Sequence, residues 1–131
     1  MECGVDIIEI DRIKQSIERQ GDKFLNKIYT SNEIEYCNSK GVQAYASLAA
    51  RFAAKEAVAK LLQTGFDGNV HWKEIEVINN KDGAPQIILY GDTKRLAEEK
   101  GISYIKVSLS HSRETAISMV IGYWQAERLV V

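Results

Sequence analysis

The chain has 131 residues, of which 45% are hydrophobic and 27% charged, and its formal net charge is -1. This composition is typical of a folded globular protein and excludes a disordered tail, a fibre or a general nucleic-acid binder. The length predicts a single domain over residues 1–131. Two cysteines without paired spacing predict neither a disulfide framework nor a zinc site, and no long apolar run or leader pattern is present. We therefore expect a cytoplasmic protein without a membrane or nucleic-acid partner.

The first half of the chain predicts one strand followed by three helices. Residues 4–10 are rich in β-branched side chains and predict the strand, and residues 12–20 have the apolar spacing of a helix that ends at Gly21. A helix over about 30–38 begins with the N-cap pattern Thr-Ser-Asn-Glu. Eight alanines favour a long, closely packed helix over about 44–62.

The second half predicts four strands and one helix. The strands are, in order, 74–79, 86–90, 103–111 and 115–123. The first two form a hairpin around Asn-Lys-Asp-Gly, with Pro85 at the start of the second strand. Asp92 is a predicted cap for a helix over 93–100. This order predicts an α+β fold with a mainly antiparallel sheet, packed with helices that include one long central helix.

The long helix carries charges on the side that its apolar residues predict to be buried. At ~100° per residue, Lys55 falls within the apolar arc, and Glu56 lies on its border, one turn before Lys60. An exposed ion pair explains Glu56 and Lys60 without any function, and it contributes only a few tenths of a kcal/mol. A functional site on this side of the helix is the alternative interpretation.

Asp6 is a second charged residue in an apolar setting. Strand alternation places it on the same face as Ile8 and Ile10, so its carboxylate needs a cation, hydrogen-bond donors or a raised pKa. Pairing with a lysine or capping of a turn is the structural explanation. Alternatively, Asp6 and Glu56 supply two oxygens to Mg²⁺, which binds few protein carboxylates together with water and phosphate oxygens. Three basic residues of the long helix would then face the phosphates: Arg51, Lys55 and Lys60.

His111 is a third polar residue in phase with apolar neighbours. It alternates with Val107 and Leu109 and stands at the end of its predicted strand, where a site can open. A satisfied core histidine is the structural explanation. Ser110 and Ser112 lie on the opposite face, so a serine–histidine dyad is geometrically poor. The sequence contains no P-loop, dinucleotide-binding glycine motif or zinc-protease motif.

Three separated segments carry a resemblance to one family. They are Gly-Val-Asp-Ile-Ile-Glu-Ile at 4–10 with Arg12 two residues on, Arg-Phe-Ala-Ala-Lys-Glu-Ala-Val-Ala-Lys at 51–60, and Val-Ser-Leu-Ser-His-Ser at 107–112. In these segments the chain resembles the holo-acyl-carrier-protein synthases, the small single-domain type of 4'-phosphopantetheinyl transferase. The resemblance spans nearly the whole chain in the right order.

The resemblance implies an activity and assigns roles to the residues singled out above. The expected reaction transfers 4'-phosphopantetheine from coenzyme A to a serine of apo acyl carrier protein, releases adenosine 3',5'-bisphosphate and requires Mg²⁺. Asp6 and Glu56 fall on the family's magnesium-ligand positions, and Lys60 would hold or protonate the phosphate. The other expected coenzyme contacts are Arg51, His111, Gly65 and Pro85. The group that deprotonates the serine stays open between Glu56, Asp6 and a metal-bound water.

The resemblance also implies partners. The family is known as a homotrimer with active sites between subunits, so some coenzyme contacts would come from a neighbour. Basic residues would bind the acidic carrier protein: Arg12, Arg19, Lys23 and Lys27. Arg12 matches the family pattern directly, whereas the other three match it only in character.

Two other functions stay open beside the transferase. A Mg²⁺-dependent phosphodiesterase or nucleotide hydrolase would use the same two carboxylates without any carrier protein. A non-catalytic coenzyme A-binding module would bind phosphates through Lys60, Arg51 and His111 and keep Asp6 and Glu56 in structural ion pairs.

Overall fold

The computed structural model describes residues 1–66 and 68–124, so residue 67 and residues 125–131 of the expected domain lie outside the described part. Within the described residues the chain forms five α-helices and five strands. In chain order they are β1 (Glu2–Glu9), α1 (Ile10–Gln20), α2 (Asp22–Ile28), α3 (Ser31–Asn38), α4 (Ala44–Leu61), β2 (Ile75–Asn79), β3 (Pro85–Leu89), α5 (Gly91–Glu99), β4 (Ile102–His111) and β5 (Thr115–Trp124). No helix of this part of the chain is long and apolar enough to cross a membrane.

The strands form two antiparallel sheets. β5 lies between β1 and β4 in a three-stranded sheet, and β2 pairs with β3 in a hairpin. Side chains of β5 alternate between a buried face and an outer face, as the period of two requires. The predicted α+β class, with mainly antiparallel strands and a long central helix, is confirmed.

Close packing of α4 on β1 forms the centre of the molecule. Ala53, Ala54 and Ala57 of α4 are completely buried, and their small side chains let the strand approach the helix. A Cβ atom added at Gly4 of β1 would lie 2.1 Å from the carbonyl oxygen of Ala57. Only glycine therefore fits at position 4 without moving the strand away from the helix.

Two local predictions were wrong. The sequence predicted no helix over 22–28, yet α2 follows α1 directly, after a turn at Gly21 with φ of 58°. Asp92 does not cap α5 and instead accepts a hydrogen bond from Arg95 at 2.7 Å. Glu74, from the turn before β2, takes the capping role, because its Oε1 atom accepts the backbone N–H of Thr93 at 3.0 Å.

Lys55 is buried in the interior and does not face a ligand, so that expectation was wrong. Its Nζ atom donates to Glu33 Oε1 at 2.9 Å, to the carbonyl oxygen of Trp72 at 3.0 Å and to that of Ile75. Glu33 Oε2 accepts the backbone N–H of Val77 at 2.9 Å. Both side chains of this ion pair are fully buried. The pair therefore joins α3, α4 and β2 through charge-assisted hydrogen bonds.

Glu33 has a second role at the start of α3. Thr30 and Glu33 form a capping box in which each side chain accepts the backbone N–H of the other residue. The predicted N-cap pattern is thus confirmed. Burial lowers the pKa of Lys55, and the Glu33 carboxylate opposes that shift, so the lysine depends on Glu33 to stay charged in the interior.

Replacing Lys55 with methionine should leave the Glu33 carboxylate buried without its cation. We expect Lys55→Met to lower the free energy of unfolding by about 3–5 kcal/mol in urea titrations, because breaking one side of a buried pair is strongly destabilising. Lys60→Met, a control on the exposed side of the same helix, should lower it by no more than about 1 kcal/mol. Equal losses in the two variants would contradict the structural role of Lys55.

Candidate functional site

Two groups of charged side chains lie on different sides of α4. Glu56 and Lys60 are four residues apart and share one side of the helix, whereas Arg51 lies ~140° around the axis from Glu56. Asp6 of β1 contacts the first group, whereas residues of the β2–β3 hairpin and of β4 surround Arg51. α4 therefore presents two halves of a candidate site.

The first half, the carboxylate cluster, consists of Asp6, Glu56 and Lys60. Lys60 Nζ donates to Asp6 Oδ1 at 2.9 Å and to the carbonyl oxygen of Val5 at 3.1 Å. The Asp6 side chain is 16% exposed and that of Lys60 is 55% exposed, so the cluster opens to solvent on the lysine side. Lys60 forms its ion pair with Asp6 of β1, whereas the sequence had suggested a pair with Glu56.

The charges in this cluster perturb one another. Burial is the largest cause that raises the pKa of Glu56, the nearby Asp6 carboxylate raises it further, and Lys60 opposes both. The hydrogen bond to Asp6 is the largest cause that raises the pKa of Lys60. Two neighbouring carboxylates and one lysine leave an excess negative charge, which a bound cation would compensate.

The carboxylate cluster fits a magnesium ion by the chemistry of its donors. Asp6 and Glu56 offer hard oxygen ligands, and Mg²⁺ is commonly held by one or two carboxylates with water and substrate phosphates around the rest of its shell. Among residues 1–66 and 68–124, no group of three or more histidine, cysteine or acidic side chains could hold a metal. A cation here would thus depend on oxygens from substrate and water.

The second half, the arginine pocket, is a cavity of about 390 Å³ between α3, α4, the β2–β3 hairpin and β4. Polar, aromatic and turn residues from these elements form its wall: Tyr36, Lys40, Arg51, Asn79, Pro85 and His111. The structure thus brings three of the predicted coenzyme contacts into one cavity. The wall does not include Asp6, Glu56 or Lys60.

Arg51 is held rigidly in this pocket and is only 3% exposed. One terminal nitrogen donates to Ser47 Oγ at 3.1 Å, and the other donates to Asn79 Oδ1. Its guanidinium carbon lies 4.4 Å from the centre of the Tyr36 ring. The Nε atom is buried and has no hydrogen-bond partner among the residues that the structure describes. A buried N–H donor without an acceptor favours an anionic ligand, because the anion would supply that acceptor.

A lysine and a histidine also border the arginine pocket. Lys40 lies beyond the end of α3, with its Nζ atom 4.6 Å from the centre of the Tyr36 ring. The exposed His111 side chain stands at the end of β4, and its Nδ1 atom lies 3.3 Å from the carbonyl oxygen of Ser112. Lys40 was not among the predicted site residues, because no local spacing links it to Arg51.

Other predicted site residues lie elsewhere. Gly65, in the loop after α4, does not line the arginine pocket, so the structure does not bring it to the other coenzyme contacts. The four basic residues expected to bind a carrier protein are all exposed. They fall on two helices, Arg12 and Arg19 on α1 and Lys23 and Lys27 on α2.

Comparison with known proteins identifies the family. Residues 2–119 match the sequence profile described as the 4'-phosphopantetheinyl transferase superfamily. The chain belongs to this family. It is 47% identical over 121 residues to a holo-[acyl-carrier-protein] synthase of Ruminiclostridium cellulolyticum, an alignment that covers 92% of this chain and 90% of the relative.

Solved structures of the transferase family share the fold. The synthase of Neisseria meningitidis superimposes with a TM-score of 0.85 at 31% identity, over 93% of this chain and 97% of that one. The Helicobacter pylori synthase, solved in complex with coenzyme A, gives a TM-score of 0.82 at 31% identity, over 92% and 99% of the two chains. The protein is accordingly an enzyme of the phosphopantetheinyl transferase class.

The two neighbours of Glu56 should shift its pKa in opposite directions in metal-free solution. Asp6→Asn removes a negative charge and should lower the pKa of Glu56, whereas Lys60→Met removes the positive charge and should raise it. Carbon-13 NMR titration of the glutamate carboxyls measures both shifts, with the distant Glu98→Gln as a control. A pKa of Glu56 that moves in the same direction in both variants would contradict the described cluster.

Proposed function

We propose that this protein transfers 4'-phosphopantetheine from coenzyme A to a serine hydroxyl of an apo acyl carrier protein and releases adenosine 3',5'-bisphosphate. The observation that carries this proposal is the arrangement around α4, with two carboxylates and a lysine on one side and a buried arginine pocket on the other. Relatives named holo-[acyl-carrier-protein] synthase, one of them solved with coenzyme A, support the assignment.

The carboxylates of Asp6 and Glu56 would hold the magnesium ion. When bound, the ion supplies positive charge that neutralises the pyrophosphate and the developing charge of the leaving phosphate. Burial is the largest cause of the raised pKa of Glu56 and the Asp6 carboxylate is the second, and a cation bound between the two carboxylates would relieve their repulsion. Mg²⁺ dependence is therefore part of the proposal.

Lys60 would contact a phosphate oxygen of the coenzyme. The Lys60 side chain is more than half exposed and its ammonium group is held next to Asp6, so a substrate that approaches from solvent can reach it. The raised pKa keeps the lysine charged, which suits a hydrogen-bond donor that holds a phosphate oxygen.

The arginine pocket would bind a phosphate group of the nucleotide half of coenzyme A. Arg51 contributes a guanidinium fixed by Ser47 and Asn79, with its Nε donor still available for an oxyanion. Lys40 and His111 add positive charge or hydrogen-bond donors at the same cavity. Charge-assisted hydrogen bonds of this type favour phosphate over neutral ligands.

We include a homotrimer in the proposal, with each site formed between subunits. The outer face of the three-stranded sheet exposes four large apolar side chains in two facing pairs, Val5 with Met119 and Ile7 with Ile117. Their exposed fractions run from 39% for Ile117 to 64% for Ile7. Such a contiguous apolar face favours association. Because Arg51 and Glu56 point to different sides of α4, a neighbouring subunit would unite the two halves.

The carrier protein would bind along α1 and α2. Both helices expose basic side chains, Arg12 and Arg19 on α1 and Lys23 and Lys27 on α2. Exposed cations of this kind steer an acidic partner and increase its rate of association.

The reaction is tested with apo acyl carrier protein, coenzyme A and Mg²⁺, followed by mass spectrometry of the carrier. We expect the carrier to gain the mass of phosphopantetheine, and Glu56→Gln to lower kcat/KM by at least about 100-fold while coenzyme binding persists. Turnover of coenzyme A without a carrier would instead indicate a hydrolase. Binding without any turnover would indicate a coenzyme A-binding module.

A charged substitution on the apolar sheet face tests the proposed trimer. Ile7→Glu should convert the trimer to monomers in analytical ultracentrifugation and abolish transfer, because burying the carboxylate between subunits is costly. Val42→Glu is a matched control, since Val42 is 95% exposed and lies outside the sheet. A wild-type monomer with full activity would contradict the shared site.

A further inference from the structure

Buried polar atoms without partners are rare in folded proteins and call for an explanation. Within residues 1–66 and 68–124, two buried side-chain polar atoms have no hydrogen-bond partner, Arg51 Nε and Ser118 Oγ. The arginine pocket explains the first as a donor for an anionic ligand. The second belongs to a residue that the proposed function leaves without a role.

Ser118 lies directly beside the carboxylate cluster. It is on the central strand β5, is completely buried and points inward, in phase with Ala116 and Val120. In the sheet register its partners are Asp6 on β1 and Leu109 on β4. Directly opposed residues of an antiparallel pair have Cβ atoms about 4.5–5.5 Å apart. Ser118 and Asp6 therefore lie side by side on the inward face of the sheet, although the Ser118 hydroxyl does not hydrogen-bond to Asp6 in the structure.

Of the two cross-strand partners, only Asp6 offers a side-chain acceptor, because Leu109 is apolar. One oxygen of Asp6 accepts the ammonium of Lys60 at 2.9 Å. An ionised carboxylate has about four lone-pair sites on its two oxygens, so it can accept a second donor while it binds a cation. The hydroxyl of Ser118 has no partner among the described residues and is a donor available to this carboxylate.

We propose that Ser118 is a positioning residue for Asp6: when a divalent cation binds, the Ser118 hydroxyl turns to donate to the Asp6 carboxylate and fixes the orientation of that carboxylate toward the cation. The inference rests on the proposed function, because it takes Asp6 as a metal ligand. Hydrogen bonds to the ligating carboxylates are a regular part of metal sites, and their loss commonly weakens metal binding by about 10–100-fold. Ser118 contacts neither substrate nor metal in this role.

A packing role makes a different prediction. If Ser118 only fills space between the strands and α4, alanine would serve equally well, and the affinity for the metal would not depend on the hydroxyl. Removal of a hydroxyl that lacks a partner also relieves a desolvation cost in the metal-free protein. The positioning role thus predicts that stability and metal affinity respond in opposite directions to Ser118→Ala.

The test measures Mn²⁺ binding to the metal-free full-length protein by electron paramagnetic resonance, together with Tm in the presence of a chelator. We expect Ser118→Ala to weaken Mn²⁺ binding by about tenfold. Its Tm should stay equal or rise by a few degrees. Ser118→Thr keeps the hydroxyl and should retain wild-type affinity. Ser103→Ala, which removes an exposed hydroxyl from β4, should not change Mn²⁺ affinity.

The outcomes separate this inference from the proposed function. Asp6→Asn should abolish Mn²⁺ binding, and a wild-type protein without such Asp6-dependent binding would overturn the metal role and this inference together. If wild type binds Mn²⁺ and the Mn²⁺ dissociation constant of Ser118→Ala lies within twofold of the wild-type value, the positioning role alone is overturned. A loss of affinity in Ser118→Ala together with a lower Tm would indicate a structural role and would also overturn it.

Discussion

The close approach of β1 to α4 is the constraint on which the candidate site depends. Gly4 and Ala57 bring the strand and helix backbones into contact, since any side chain at position 4 would collide with the carbonyl oxygen of Ala57. Asp6 follows two residues later on the same face of β1, so the alternation of the strand carries its carboxylate to the next turn of α4. There Lys60 binds it and Glu56 lies nearby.

A buried ion pair fixes the position of the other side of α4. Lys55 and Glu33 tie α4 to α3 and to the start of β2, and Arg51 lies one turn earlier on α4. Arg51 then reaches Asn79 at the end of β2 and the Tyr36 ring of α3. The conspicuous run of charges in α4 therefore has three distinct uses: Lys55 stabilises the fold, Arg51 forms the arginine pocket, and Glu56 and Lys60 form the carboxylate cluster.

Local sequence patterns predicted those features of the structure that depend on residues close together in the chain. Strand alternation gave the inward direction of Asp6, and the capping box of Thr30 and Glu33 marked the start of α3. Contacts between residues far apart in the sequence could not be predicted, because spacing along the chain carries no information about them. Glu33 is 22 residues from Lys55, and Lys60 is 54 residues from Asp6. The resemblance to the transferase family proposed the functional residues, but the geometry was needed to separate Lys55 from them.

Anomalous diffraction from crystals grown with Mn²⁺ and coenzyme A tests the central claim most directly, namely that α4 carries a metal site on one side and a phosphate site on the other. The predicted result is a manganese peak within about 2.5 Å of carboxylate oxygens of both Asp6 and Glu56, with a coenzyme phosphate against Arg51. A manganese peak remote from both carboxylates, or coenzyme phosphates that do not contact Arg51 of any subunit, would contradict it.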